Sequence, residues 1–77
     1  MDLDYEKKVI IDGKEFYILV ETEINNEKYL YVAEIIENDI TGNFYVYKEE
    51  EQGVLTKITN SEELKEVLPI LINLMNN

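Results

Sequence analysis

Asp12-Gly13 is the most restrictive dipeptide in the chain. It stands between Val9-Ile10-Ile11 and Glu15-Phe16-Tyr17-Ile18-Leu19-Val20. Asp-Gly accepts the positive φ angles of a type I′ turn, so the two apolar runs fold back on each other as a tight hairpin. Asn25-Asn26 supplies a second turn, because Asn tolerates the left-handed region, and it introduces a third strand ending at Ile36. Residues 37–42 read as a polar loop closed by Gly42, and Asn43 to Lys48 as a fourth strand. Glu49-Glu50-Glu51 with Gly53 forms a loose hairpin tip before a fifth strand, Val54 to Ile58. Short strands separated by turns at this pace predict an antiparallel meander.

The period changes after Ile58. Thr59-x-x-Glu62 fits a capping box, and acidic residues suit the positive end of a helix. Leu64, Val67, Leu68, Leu71 and Met75 then recur at helical spacing, and Pro69 falls on the polar side, where a kink is tolerated. The expected strands cover about 7–11, 15–22, 28–36, 43–48 and 54–58, and the helix about 60–75. This is an α+β fold: an antiparallel four- to five-stranded β-meander with one C-terminal helix packed on one face, in a single domain spanning 1–77.

Seventeen Asp and Glu against seven Lys, with no Arg or His, give a net charge of −10. Such a chain repels nucleic acid and anionic lipid and favours encounter with basic protein surfaces. Without cysteine there is no disulfide, thiolate or Cys-zinc chemistry. Met1-Asp2-Leu3-Asp4 offers no basic leader region and no run is long enough to span a membrane, so the expected location is cytoplasmic.

Alternation sorts the strands into two rows. Phe16, Ile18, Val20, Leu30, Val32, Phe44 and Val46 make one; Tyr17, Leu19, Glu21, Tyr29, Tyr31, Ala33, Tyr45 and Tyr47 make the other. Because a tyrosine hydroxyl wants water or a partner, the Phe/Val row is expected to face the helix and the Tyr row to stay uncovered. The uncovered row is either an ordinary second sheet face or, with Glu49, Glu50 and Glu51, a partner-binding surface. The tail Ile70-Leu71-Ile72-Asn73-Leu74-Met75 is more apolar than one thin core requires. It either packs along the sheet edge or makes a homodimer contact through Ile70 and Leu74.

Catalytic and metal constellations do not assemble in this pattern. Glu34 shares a row with Leu30 and Val32, but it has no His, Cys or Arg to work with and reads as a rim carboxylate. Glu49-Glu50-Glu51 points in alternate directions and lacks the ligand spacing of a calcium loop. No cofactor, metal or catalytic residue is expected.

The runs Phe16-Tyr17-Ile18-Leu19-Val20-Glu21-Thr22-Glu23-Ile24, Glu27-Lys28-Tyr29-Leu30-Tyr31-Val32, Phe44-Tyr45-Val46-Tyr47-Lys48-Glu49 and Ile58-Thr59-Asn60-Ser61-Glu62-Glu63-Leu64-Lys65-Glu66-Val67 resemble the YrzB-like family of small acidic bacterial proteins, a domain of unknown function. The resemblance covers roughly residues 10–70 and implies the meander-plus-helix fold and no activity. The chain departs from the family in a shorter acidic middle loop, more Tyr and a longer apolar tail after Pro69.

The expected function is a non-enzymatic acidic binding module for a basic protein surface, with no direct nucleic-acid binding. The alternatives are a nucleic-acid-mimicking inhibitor of the phage or mobile-element type, directed at a defence nuclease, and a small homodimeric housekeeping protein. A net charge of −10 also opposes compaction, so added salt is expected to raise the melting temperature in scanning calorimetry. A midpoint that ignores salt between low and moderate ionic strength contradicts a charge-strained fold.

Overall fold

The computed structural model describes residues 7–76; the Met1–Asp4 segment and the outer ends of the 1–77 domain lie outside them. The element order is β1 (Lys8–Ile11), β2 (Lys14–Ile24), β3 (Glu27–Ile36), β4 (Asp39–Glu51), β5 (Val54–Lys57) and α1 (Ser61–Met75). The five strands pair antiparallel in sequence order, and the sheet curls into a half-barrel. The expected α+β meander with one C-terminal helix is the observed architecture.

Local chemistry explains the turns. Asp12 and Gly13 take φ of 51° and 81°, and Asn25 and Asn26 take 54° and 66°. The segment read as a loop over 37–42 is a third turn of this kind, with Glu37 at 52° and Asn38 at 68°. β4 therefore starts at Asp39, four residues earlier than the polar composition suggests. Its early part carries an irregularity: from Ala33↔Phe44 to Ile35↔Ile40, β3 advances two residues and β4 four. Thr41 Oγ1 occupies the break, donating to the Glu34 carbonyl at 2.8 Å and accepting from the Asn43 N–H at 3.2 Å.

The face assignment needs correction. A two-residue turn pairs odd-numbered with even-numbered positions, so Tyr31 stands opposite Val46 and Val32 opposite Tyr45. In β2 a bulge between Ile18 and Val20 moves Val20 to the other face from Phe16 and Ile18. Tyr29 and Tyr31 are accordingly buried beneath α1, together with Val20, Val46, Ile58, Val67 and Leu71, and Leu19 packs against them. Tyr17 pairs with Ala33, which places it on the same helix-side face. Phe16, Leu30 and Val32 lie on the opposite, concave face in a second core with Ile11 and Tyr47. Ile18 and Tyr45 pack at the edge of that core. Tyr45 and Tyr47 do face away from the helix as expected, but Tyr47 is buried there.

The N-cap of α1 is Asn60 rather than Thr59: the Asn60 side chain accepts from the Glu63 N–H at 3.0 Å. The helix runs continuously through Pro69. Val67 and Leu71 are its buried residues, Leu64 and Leu68 are half-buried, and Met75 is exposed although it shares their spacing.

Leu71 has no exposed surface, whereas Ile70 beside it is 42% exposed. Leu71→Ala is therefore expected to cost about 2–5 kcal/mol in urea unfolding. Ile70→Ala is expected to stay within about 1 kcal/mol of the parent. Equal losses would contradict this placement of the helix.

Candidate functional site

The β2–β3 and β4–β5 hairpins end at the same side of the sheet, because the start of β3 pairs with the end of β4, Lys28 opposite Glu49. Pairing thus collects carboxylates that are far apart in sequence. On the concave face, Lys28 Nζ lies 3.1 Å from Glu21 and 3.5 Å from Glu49. On the helix face, Lys48 Nζ lies 3.2 Å from Glu63, 3.5 Å from Glu27 and 3.9 Å from Glu50. Glu23 and Glu51, both exposed, stand in the same two hairpins. Seven carboxylates therefore surround two lysines at one end of the molecule.

The helix-face cluster also fastens α1 to the sheet. The Tyr29 hydroxyl donates to Glu63 at 2.5 Å and shares its proton with Glu27 at 3.1 Å. Burial, and then these bonds to carboxylates, raise the Tyr29 pKa well above its usual value. The same Tyr29 bond, followed by Lys48, holds the Glu63 carboxyl below the usual carboxylate range. Bonding to Glu63 raises the Lys48 pKa, and bonding to Glu21 raises that of Lys28, so both stay cationic. Glu49 is lowered first by the Gly53 N–H, which donates to it at 3.0 Å across the hairpin tip, and then by Lys28.

The predicted partner-binding set is therefore split. Tyr29, Tyr31 and Tyr47 are buried, while Tyr17, Leu19 and Tyr45 are half-buried on two different faces, so the tyrosines among the described residues form no continuous surface. Glu50 and Glu51 are exposed, and Glu49 is half-buried between its two partners. Glu34 is half-buried beside the Thr41 break rather than at a carboxylate cluster. Ile70 and Leu74 are 42% and 41% exposed. Ile70 lies seven residues after Glu63 and Leu74 four after Ile70, so helical spacing puts both on the flank facing the acidic end.

Two features escape a reading by strand rows. One is an apolar groove of about 800 Å³ along the other flank of α1, lined by Leu64, Leu68, Pro69 and Ile72. It shares Leu64 and Leu68 with a cleft against Tyr31, Phe44 and Ile58. The helical spacing of Leu64, Leu68 and Ile72 carried this signal. The other is a small cleft of about 210 Å³ between Ile11, Phe16, Tyr45, Tyr47 and Leu55, with Asp12, Lys14 and Lys57 around it. Lys57 Nζ sits 4.4 Å above the Tyr45 ring there.

Among the described residues no group of acidic, His or Cys side chains is arranged to hold a metal ion. No helix among them is long and apolar enough to cross a membrane. Comparison of the chain with protein-family models, curated proteins and solved structures gives no match.

The pKa shifts fix signs for the pH dependence of stability. Tyr29 is raised in the fold, so its contribution is complete below the ordinary tyrosine value of about 10 and is lost as pH rises above it. Glu63 is lowered, so its contribution is present above about pH 4.5 and is lost as pH falls through its folded value. Tyr29→Phe keeps the ring and is expected to flatten the alkaline loss in urea titrations run between pH 8 and 11. An alkaline limb unchanged in that variant would show that Tyr29 does not carry it.

Proposed function

We propose that the protein is a non-enzymatic acidic binding module that presents the carboxylate-rich end of its sheet to a basic protein surface. The observation that carries this reading is the convergence of Glu21, Glu23, Glu27, Glu49, Glu50, Glu51 and Glu63 around only Lys28 and Lys48. That surplus creates a directed field, which speeds encounter with a cationic partner and weakens as salt screens it. Charge alone gives little specificity, and a desolvated apolar anchor must hold the complex. Ile70 and Leu74 on the adjoining helix flank, and Val54 beside Glu51 at the hairpin tip, are the exposed apolar side chains placed for that role. They replace the tyrosines, of which Tyr29, Tyr31 and Tyr47 are buried and Tyr17 and Tyr45 are half-buried on different faces.

The test compares proteins retained from a native-host extract by the immobilised parent and by Glu50→Lys/Glu51→Lys. Glu49 is spared because it accepts the Gly53 N–H. Glu37→Lys/Asp39→Lys, at the opposite end of β3 and β4, is the control. The parent and the control are expected to retain the same basic protein, with association slowed about tenfold in the Glu50/Glu51 variant and by added salt. Association indifferent to salt and to both reversals would overturn the proposal. Competition by duplex DNA for the retained protein would identify its docking surface as a nucleic-acid groove, and the module as a nucleic-acid-mimicking inhibitor.

A further inference from the structure

The groove on the other flank of α1 differs from the acidic end in its charge. Among the described residues no carboxylate lines it and Lys65 is its charged lining residue, with Glu62 and Glu66 on the adjoining outer face of the same helix. From Val67 to Asn76 the helix and its C-cap contain no ionisable side chain. Yet the surface is strongly apolar, with Ile72 37% and nearby Phe44 49% exposed. A basic partner would find only Glu62 and Glu66 at its outer edge, far fewer carboxylates than at the hairpin end. A second copy of a chain with net charge −10 favours the opposite, an apolar contact with little negative charge.

We propose that this groove is occupied by α1 of a second copy, the two helices packing antiparallel about a two-fold axis near Leu68 and Pro69. The order of residues along the groove is self-complementary in that direction. Ser61 stands at one end, Asn73 and Asn76 at the other, and Leu64, Leu68 and Ile72 between them. Reversal about Leu68 sets Ser61 near the Asn76 end, Leu64 level with Ile72 and Leu68 against its own copy, as an isologous contact requires. Antiparallel packing also opposes the two helix dipoles. It carries Lys65 toward the C-terminal turn of the partner helix, a turn with no basic residue of its own.

Pro69 adds a polar reason for the same direction. Having no N–H, it leaves the Lys65 carbonyl without its usual helical donor. In the antiparallel pair that carbonyl comes level with Asn73 of the second copy, whose side-chain amide can donate to it. Pairing thus covers apolar side chains and a backbone acceptor together. The contact is separate from the acidic end, because Ile70 and Leu74 lie on the flank beside Glu63.

Cross-linking and sedimentation test the proposal. The chain has no cysteine, so Pro69→Cys places a single thiol near the axis and Leu74→Cys places one on the far flank. With oxidised glutathione, Pro69→Cys is expected to form a disulfide-linked dimer and Leu74→Cys to stay largely monomeric. Sedimentation equilibrium of the parent is expected to approach twice 9.1 kDa as concentration rises. Added salt should strengthen this association by screening repulsion, the reverse of its effect on a basic partner. Ile72→Lys, with its fold checked by circular dichroism, is expected to weaken association at least tenfold. A parent that stays at 9.1 kDa at both low and high salt overturns the proposal, as does equal cross-linking by the two cysteine variants or an Ile72→Lys protein that associates like the parent. Glu50→Lys/Glu51→Lys is expected to leave Pro69→Cys cross-linking intact, so failure of the acidic-end reading and failure of the dimer are read separately.

Discussion

Phe16 of β2 meets Tyr45 and Tyr47 of β4 across the intervening β3, with ring centroids 5.9 and 5.8 Å apart in edge-on geometry. In a flat sheet, strands two places apart are about 9.6 Å from each other, so curvature brings these rings together from above Leu30 and Val32. The curl lets a chain with one helix shelter two apolar faces. α1 covers Tyr29, Tyr31 and Val46 on one side, and the sheet folds over Leu30 and Val32 on the other. The bulge at Leu19 contributes to both, since a bulge sharpens twist and also sends Val20 to the helix side while Phe16 stays in the concave core. Neither core is large, as expected for so short a chain, and neither has a second layer behind it.

Tyrosine fits under the helix because its position is at the margin of the core. The Tyr29 ring is buried, while its hydroxyl reaches Glu63 and Glu27 at the rim. That contact sets where the helix begins. Asn60 accepts the Glu63 N–H, which leaves the Glu63 side chain free to cross to the sheet instead of closing a capping box. Lys48 completes the node at 3.2 Å. A valine at position 29 would fill part of the volume but would donate to neither carboxylate, leaving Lys48 as the donor shared by Glu63 and Glu27. Acidity and folding are therefore joined at this node, and the carboxylates there are structural as well as available to a partner.

Much of the fold was legible in local chemistry: three of the four hairpin turns, the change of period at the helix, and the order of strands. Which residues share a face was only partly legible. The sorting matched tyrosine with tyrosine across strands, although a two-residue turn at Asn25-Asn26 already pairs Tyr29 with Thr22 and not with an odd-numbered neighbour. Parity carried information that side-chain type concealed. The bulges were not legible, because nothing at Leu19 or Thr41 distinguishes an extra residue from an ordinary strand position until the partner strand is in place. The third turn was hidden for a related reason: Glu37-Asn38 lacks the glycine that announces such turns, although Asn tolerates positive φ. For the candidate site, the charge and the helix tail were visible, but pairing decides which carboxylates meet and which flank of α1 remains free of them.

The two surfaces differ in what reaches them through solvent. The molecule measures 33 × 27 × 21 Å, several Debye lengths across at physiological salt, where screening acts over about 8 Å. At that ionic strength the groove along α1 experiences mainly its own surroundings, an apolar lining with Lys65 and, at its outer edge, Glu62 and Glu66, more than the field of the hairpins. As ionic strength falls, the field of the whole chain reaches the groove, and a second copy meets repulsion before it meets an apolar side chain. The same long-range field acts with opposite sign on a cationic partner. One charge distribution thus predicts opposite responses to salt for the two proposed contacts. The residues that separate them are on a single helix: Glu63, Ile70 and Leu74 on one flank, and Leu64, Leu68 and Ile72 on the other.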